Sequence, residues 1–134
     1  YAENALALDI ARSKGADEAI LLNTAGNVCE CASANLFIVS SGKVITPDTS
    51  QGCLAGITRD IVLEIAANNF KVEQRAISVD ELLSADEVFI TSSTRDIQPV
   101  AAIDGRDYSA PGVLTQQLMR LFVQRAKEFQ DDES

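Results

Sequence analysis

Residues 30–59 read E-C-A-S-A-N-L-F-I-V-S-S-G-K-V-I-T-P-D-T-S-Q-G-C-L-A-G-I-T-R, and the reading of this stretch decides the fold. Its first half alternates like strands broken at Ser41-Gly42, and Pro47 closes the second of them. Its second half is a Gly-containing loop that ends in Gly56-Ile57-Thr58, where apolar residues begin to recur at Ile57, Ile61 and Ile65 with Val62 beside them, so a helix starts there. The stretch therefore predicts strands over 35–40 and 43–46, a loop, and a helix over 57–69. It also carries two unlike chemical features. Glu30 is a carboxylate set among small and apolar residues, costly to desolvate without a positive or donating partner. Gly56-Ile57-Thr58 sets backbone amides, the positive end of a helix dipole and a hydroxyl together, which suits an anion such as phosphate; ordinary helix capping uses the same residues.

Outward from this stretch, the alternation continues. Residues 18–23 (E-A-I-L-L-N) form a strand joined by a T-A-G-N turn to V-C-E-C-A, making a hairpin. Strict alternation places Val28, Glu30 and Ala32 on one face and Cys29 and Cys31 on the other. Upstream, residues 2–14 read as a helix with Gly15 as its left-handed stop. Downstream, 72–77 reads as an edge strand, Ser78-Val79-Asp80-Glu81 as a capping box opening a short helix, and 87–93 as a strand that ends in four hydroxyls, Thr91-Ser92-Ser93-Thr94. After the turn at 94–96, residues 97–105 read as one more strand, marked by Pro99 as an edge. Pro111 suits the first turn of a last helix, with Leu114, Leu118, Leu121, Phe122 and Phe129 on its core face and a fraying tail. Four short strands in succession suggest an antiparallel meander. The fold class expected is α+β in one domain.

Composition removes several functions. The 134 residues carry a net charge of −9 and no histidine, which excludes His-based triads and His metal ligands within this chain. A pI near 4.3 argues against a nucleic-acid or anionic-membrane surface. Cys29, Cys31 and Cys53 have neither disulfide-framework nor metal spacing, so reduced thiols, a reducing cytoplasmic setting and no metal are expected. With 46% apolar residues, no run reaches the roughly 20 that a membrane span needs.

The spacing E-x-A-x-x-N-L-F, six residues, V-x-T, seven residues, L-x-G-I-x-R resembles the signature of the class IV aminotransferases, the fold type IV pyridoxal-phosphate enzymes. Upstream G-A-D-E-A-I-L-L and downstream A-D-E-V-F-I-T-S-S-T-R-D-I-Q-P-V-A-A-I-D-G-R extend the likeness over effectively the whole chain. The resemblance implies a C-terminal cofactor domain, an antiparallel, barrel-like sheet flanked by helices, with pyridoxal 5'-phosphate as cofactor. It implies that Glu30 bonds the pyridine nitrogen, Leu54 packs on the ring face, and Gly56, Ile57 and Thr58 form the phosphate cup with Ser93 and Thr94 as its second wall. Asn35 matches a bracing position, and Arg59 a basic position suited to either an ion pair or a ligand contact.

The family's Schiff-base lysine falls a few residues before the position of Tyr1, and Lys14, Lys43, Lys71 and Lys127 match no catalytic position. Residues 1–134 are thus expected to be the cofactor domain cut just after that lysine, inactive without it and without the N-terminal domain that completes the pocket. A homodimer and a small amine substrate are implied as well. For the reaction, the run 91–100 leans toward aminodeoxychorismate lyase, releasing 4-aminobenzoate and pyruvate for folate synthesis, with Arg95 as candidate for a substrate carboxylate. The alternatives are a branched-chain or D-amino-acid aminotransferase, and a non-catalytic domain that keeps the fold.

Overall fold

A computed structural model describes residues 10–53 and 56–133, with side chains placed through residue 128. Leu54, Ala55 and most of the first expected helix lie outside the described residues. Residues 10–13 are helical and Gly15 takes the left-handed conformation, with φ of 86°, as the stop requires.

The elements follow in the order β1 (Ile20–Leu22), β2 (Val28–Cys31), β3 (Asn35–Ser40), β4 (Lys43–Thr46), a 3-10 turn (Thr49–Gln51), α1 (Ile57–Asn69), β5 (Lys71–Gln74), α2 (Val79–Leu83), β6 (Glu87–Ser92), β7 (Asp96–Pro99), β8 (Ala102–Ile103), β9 (Arg106–Asp107) and α3 (Val113–Glu133). The α+β class is as expected. The strands, however, divide among an open five-stranded sheet of order β5-β4-β3-β6-β7 and two separate hairpins, β1-β2 and β8-β9. No closed barrel forms among the described residues. The meander also breaks between β2 and β3, which meet only at an isolated Cys31–Ala34 bridge. β5 runs parallel to β4, because α1 carries the chain back across the sheet between them.

β3 lies at the centre and explains why N-L-F-I-V-S is apolar without interruption. Leu36 and Ile38 face one layer, shared with Val28, Cys31, Ile77, Leu82 and Ile90. Phe37 and Val39 face the other, shared with Val62, Ile65, Ala66, Phe89 and Leu118 of β6 and the two long helices. Phe37 and Phe89 are partners across β3 and β6, and their rings stack with centroids 4.9 Å apart. Both faces of the sheet are covered, one by α1 and α3, the other by the β1-β2 hairpin and α2.

Four departures from the sequence reading have identifiable physical causes. A bulge between Leu21 and Leu22 pairs Leu21 with Glu30 but Leu22 with Val28, so Cys29 is the extra residue. Val28 and Cys31 then share one apolar cluster instead of lying on opposite faces. Residues 97–105 do not form one strand: β7 ends at Pro99, on the sheet edge where Pro is tolerated, and Asp104-Gly105 turns the β8-β9 hairpin instead. Ile57 is 81% exposed, since the first helical position stands beyond the apolar cluster that buries Val62 and Ile65.

The last departure concerns α3. It starts at Val113, so Pro111 precedes the helix, and it continues through the acidic tail to Glu133. Glu87, buried at the start of β6, caps it: its carboxylate accepts from the amides of Leu114 at 3.1 Å and Thr115 at 2.8 Å. Gly112 leaves the room this needs, because a Cβ there would lie 2.1 Å from the Glu87 side chain. By contrast, α2 is capped locally as predicted, Ser78 accepting from the Glu81 amide at 3.1 Å. Gly112→Ala is expected to destabilise the fold by about 2 kcal/mol or more through overpacking and loss of the cap. Glu87→Gln, which keeps the volume, is expected to cost roughly 1 kcal/mol. Urea midpoints of the two variants against the unsubstituted chain check both.

Candidate functional site

Three segments meet at one end of the central sheet because β3 begins there. Its first residue, Asn35, pairs in register with Thr91 near the end of β6. The Asn35 Oδ1 also lies against Gly56, so close that a Cβ on Gly56 would come within 2.6 Å of it. Asn35 thus brings the N-terminus of α1 to the hydroxyl run at 91–94, the bracing role its position implied. β2 delivers Glu30 to the same end through the Cys31–Ala34 bridge into β3.

At the α1 end the backbone amides are open. Gly56 is the cap residue, in extended conformation and with no side-chain oxygen to offer, and the amides of the first turn have no acceptor within the helix. Thr58 is buried there, while the Ile57 side chain points to solvent. Arg59 resolves toward the structural of its two readings. Buried in the same turn, it donates to the Pro47 carbonyl at 2.9 Å and to Gln74 Oε1 at 3.3 Å, and lies 3.7 Å from Asp60. Its work is to hold the loop that leads into the helix. Asn23 anchors the same loop from the hairpin side, donating to Gln51 at 3.1 Å.

Glu30 is half-buried between Cys29 and Cys31. Its charge reaches the neighbouring thiols: burial first, then Glu30, pushes Cys29 up to about 11. Burial also raises Cys31 to about 12, with the Glu18 carboxylate adding to it. Cys53 is raised by burial too, with Arg59 lowering it and Glu30 raising it further. All three thiols are free and buried. They are poor nucleophiles in these surroundings.

Ser93 and Thr94 are exposed at the tip of the β6-β7 turn, and Ser92 shapes it, accepting from the Arg95 amide at 3.1 Å. Arg95, the candidate for a substrate carboxylate, is half-buried in the same turn. Its guanidinium is already engaged, 2.8 Å from Glu18 Oε2 and 3.0 Å from Ser33 Oγ, and Ser33 in turn donates to Glu18. These bonds use two of the guanidinium's five N–H donors. Glu18 and Ser33 were not singled out from sequence; the acid two residues before β1 is ordinary until its partner, 77 residues away, is seen. Lys43 and Lys71 are adjacent across β4 and β5 at the opposite end of the sheet. No three His, Cys, Asp or Glu side chains cluster as a metal site, and no helix is long and apolar enough to cross a membrane, among the described residues.

Residues 1–103 match the amino-transferase class IV family. The chain belongs to the class IV aminotransferase family. A probable branched-chain-amino-acid aminotransferase of Aquifex aeolicus is 40% identical over 126 residues, which cover 91% of this chain and 40% of that protein. A D-alanine aminotransferase of Bacillus licheniformis is 42% identical over 108 residues, covering 78% of this chain and 38% of that one. The crystal structure of the branched-chain amino acid aminotransferase from Thermobaculum terrenum, in its PLP form, superposes with a TM-score of 0.87 at 37% identity, covering 90% of this chain and 41% of that one. The chain thus spans about 40% of the length of these relatives. The fold is that of fold type IV enzymes, as the signature implied.

Burial raises the Glu18 carboxyl, but the hydrogen bonds from Ser33 and Arg95 outweigh it and hold the group below its ordinary value of 4.5. A depressed carboxylate stabilises the fold above the unfolded value and loses that contribution as pH falls through the folded one. The stability advantage of the unsubstituted chain over Glu18→Gln is therefore expected to be full above pH 4.5 and to vanish progressively below it. Thermal midpoints of both chains between neutral and strongly acid pH check this.

Proposed function

We propose that this chain is the cofactor-holding part of a pyridoxal-phosphate-dependent aminotransferase that acts on branched-chain or D-amino acids. What carries the reading is the convergence, through Asn35, of the carboxylate strand, the α1 N-terminus and the hydroxyl turn at one end of the sheet. The donor set fits the cofactor. A dianionic phosphate suits the first-turn amides, the Thr58 hydroxyl and the dipole of α1, with Ser93 and Thr94 opposite. A half-buried carboxylate at Glu30 suits a protonated ring nitrogen, since each relieves the other's desolvation. When bound, pyridoxal phosphate supplies a ring that takes up the electron pair left as the substrate loses its proton. The part of Glu30 is to hold the proton at the ring nitrogen. Gly56, Ile57 and Thr58 fix the phosphate, Leu54 covers one ring face, and Arg59 keeps the loop between them in place.

The relatives favour the transaminase alternative over the lyase reading: those compared above are branched-chain and D-alanine aminotransferases. The engagement of Arg95 by Glu18 points the same way, because the lyase reading leaned on a guanidinium open to substrate. The wider assembly belongs to the same proposal. A lysine and an N-terminal domain outside residues 1–134 complete the site, the whole acts as a homodimer in the cytoplasm, and residues 1–134 are inactive by themselves.

The test supplies the full-length protein with a branched-chain amino acid or D-alanine and 2-oxoglutarate, and separately with aminodeoxychorismate. Keto-acid formation from the amino acid without 4-aminobenzoate fluorescence from aminodeoxychorismate is expected; fluorescence and pyruvate from aminodeoxychorismate, with no keto acid formed from the amino acids, would return the lyase. Glu30→Gln is expected to lower turnover on the order of 100-fold. Thr58→Ala is expected to weaken cofactor binding roughly 10-fold, read by titrating the yellow absorbance of the bound cofactor.

A further inference from the structure

Arg95 adds a side-chain tie between the ends of the β1-β2 hairpin and the β6-β7 turn. Its guanidinium reaches Glu18, just before β1, and Ser33, just after β2, while its own amide donates to Ser92 at the end of β6. The two-stranded β1-β2 sheet carries Glu30, and the β6-β7 turn carries Ser93 and Thr94. Backbone bridges hold the hairpin to the rest at Val28–Ile77 and Cys31–Ala34, neither of which touches that turn. The Arg95 cluster is a polar link that spans from hairpin to turn. Its geometry suits the task. The fork of the guanidinium meets two oxygens, the Glu18 side chain is 13% exposed and that of Arg95 26%, so the pair is sheltered more than a surface ion pair.

From this geometry we infer that Arg95, with Glu18 and Ser33, is a positioning residue that sets the distance between Glu30 and the Ser93-Thr94 wall. The inference rests on the cofactor reading above, and it assigns to Arg95 a role through other residues, not contact with substrate. Because Glu30 is held on a bulged two-stranded hairpin, small rotations of β1-β2 would carry its carboxylate away from the turn. The Glu18–Arg95 pair resists that rotation. Lysine at this position would supply a point charge without the fork, and so should hold one of the two oxygens well and the other poorly.

The experiment uses the full-length protein carrying Arg95→Met, Arg95→Lys or Glu18→Gln, and reads two quantities besides the thermal midpoint: hydrogen exchange resolved by residue, and affinity for pyridoxal 5'-phosphate by absorbance. Arg95→Met is expected to speed exchange locally at Cys31, Ala32 and Arg95 while the amides of α1 and α3 stay protected, and to weaken the cofactor about 10-fold. Arg95→Lys should recover part of both, and Glu18→Gln should reproduce Arg95→Met without adding to it in the double variant. Unchanged exchange and affinity in Arg95→Met would overturn the inference. So would a loss of protection spread evenly over α1 and α3, which marks a general structural role. If the unsubstituted full-length protein takes up no cofactor, the cofactor reading falls, and the clamp is decided on the exchange pattern alone.

Discussion

The close approach of Asn35 to Gly56 is the constraint on which the site depends. A side chain of ordinary size at position 56 would drive the N-terminus of α1 away from β3, since the Asn35 oxygen already occupies that space. The same Asn35 is in register with Thr91, so the sheet and the helix end share one fixed point. Everything that could touch a ligand at this end is measured from it. Behind it, β3 is buried on both faces, and the stacked Phe37 and Phe89 rings and the apolar layers on either side hold the strand in place. Precision at the site follows from mounting it on a strand buried on both faces at the centre of the sheet.

Much of this was legible because it is local. The strands over 35–40 and 43–46, the turn between them and the helix from 57 are each written in a few consecutive residues, and the signature spacing runs within 30–59. The Ser78 cap was legible for the same reason. The features that were misread are those whose cause lies elsewhere in the chain. Nothing in V-C-E-C announces a bulge, because the extra residue is defined by the partner strand. The cap of α3 comes from Glu87, 28 residues before Thr115, and replaces the Pro-first start that local sequence suggested. Arg95 looked available to a substrate because its partner is far away in sequence and both are unremarkable alone.

The two long helices show how one sequence treats identical needs differently. Each must satisfy the amides of its first turn. At α3 a buried carboxylate does so permanently, and Gly112 makes room for it. At α1 the cap residue is Gly56, which brings no acceptor of its own; Arg59 is directed at the loop carbonyl, and the first-turn carboxylate, Asp60, lies 3.7 Å from the Arg59 guanidinium. A chain of net charge −9 has carboxylates to spend, so the lack of one on Gly56 is a matter of placement and not of supply.

That placement also accounts for where Glu30 sits. Had a carboxylate capped α1, it would repel a phosphate there and leave the helix dipole neutralised. On β2 the carboxylate instead stands apart from the α1 amides, with the thiols of Cys29 and Cys31 beside it and no cation in its own strand. The result is a site with a cationic dipole at one end and an anion at the other, which selects a ligand of the opposite polarity. Pyridoxal phosphate has that polarity, a phosphate at one end and a basic ring nitrogen across the ring, so the fold's division of charge and the family's cofactor require the same arrangement. The separation of the two ends is then the quantity the protein must keep fixed, and the hairpin carrying Glu30 is the less buried of the two supports. It is held to the hydroxyl wall by Arg95, whose pairing with Glu18 makes it part of the frame.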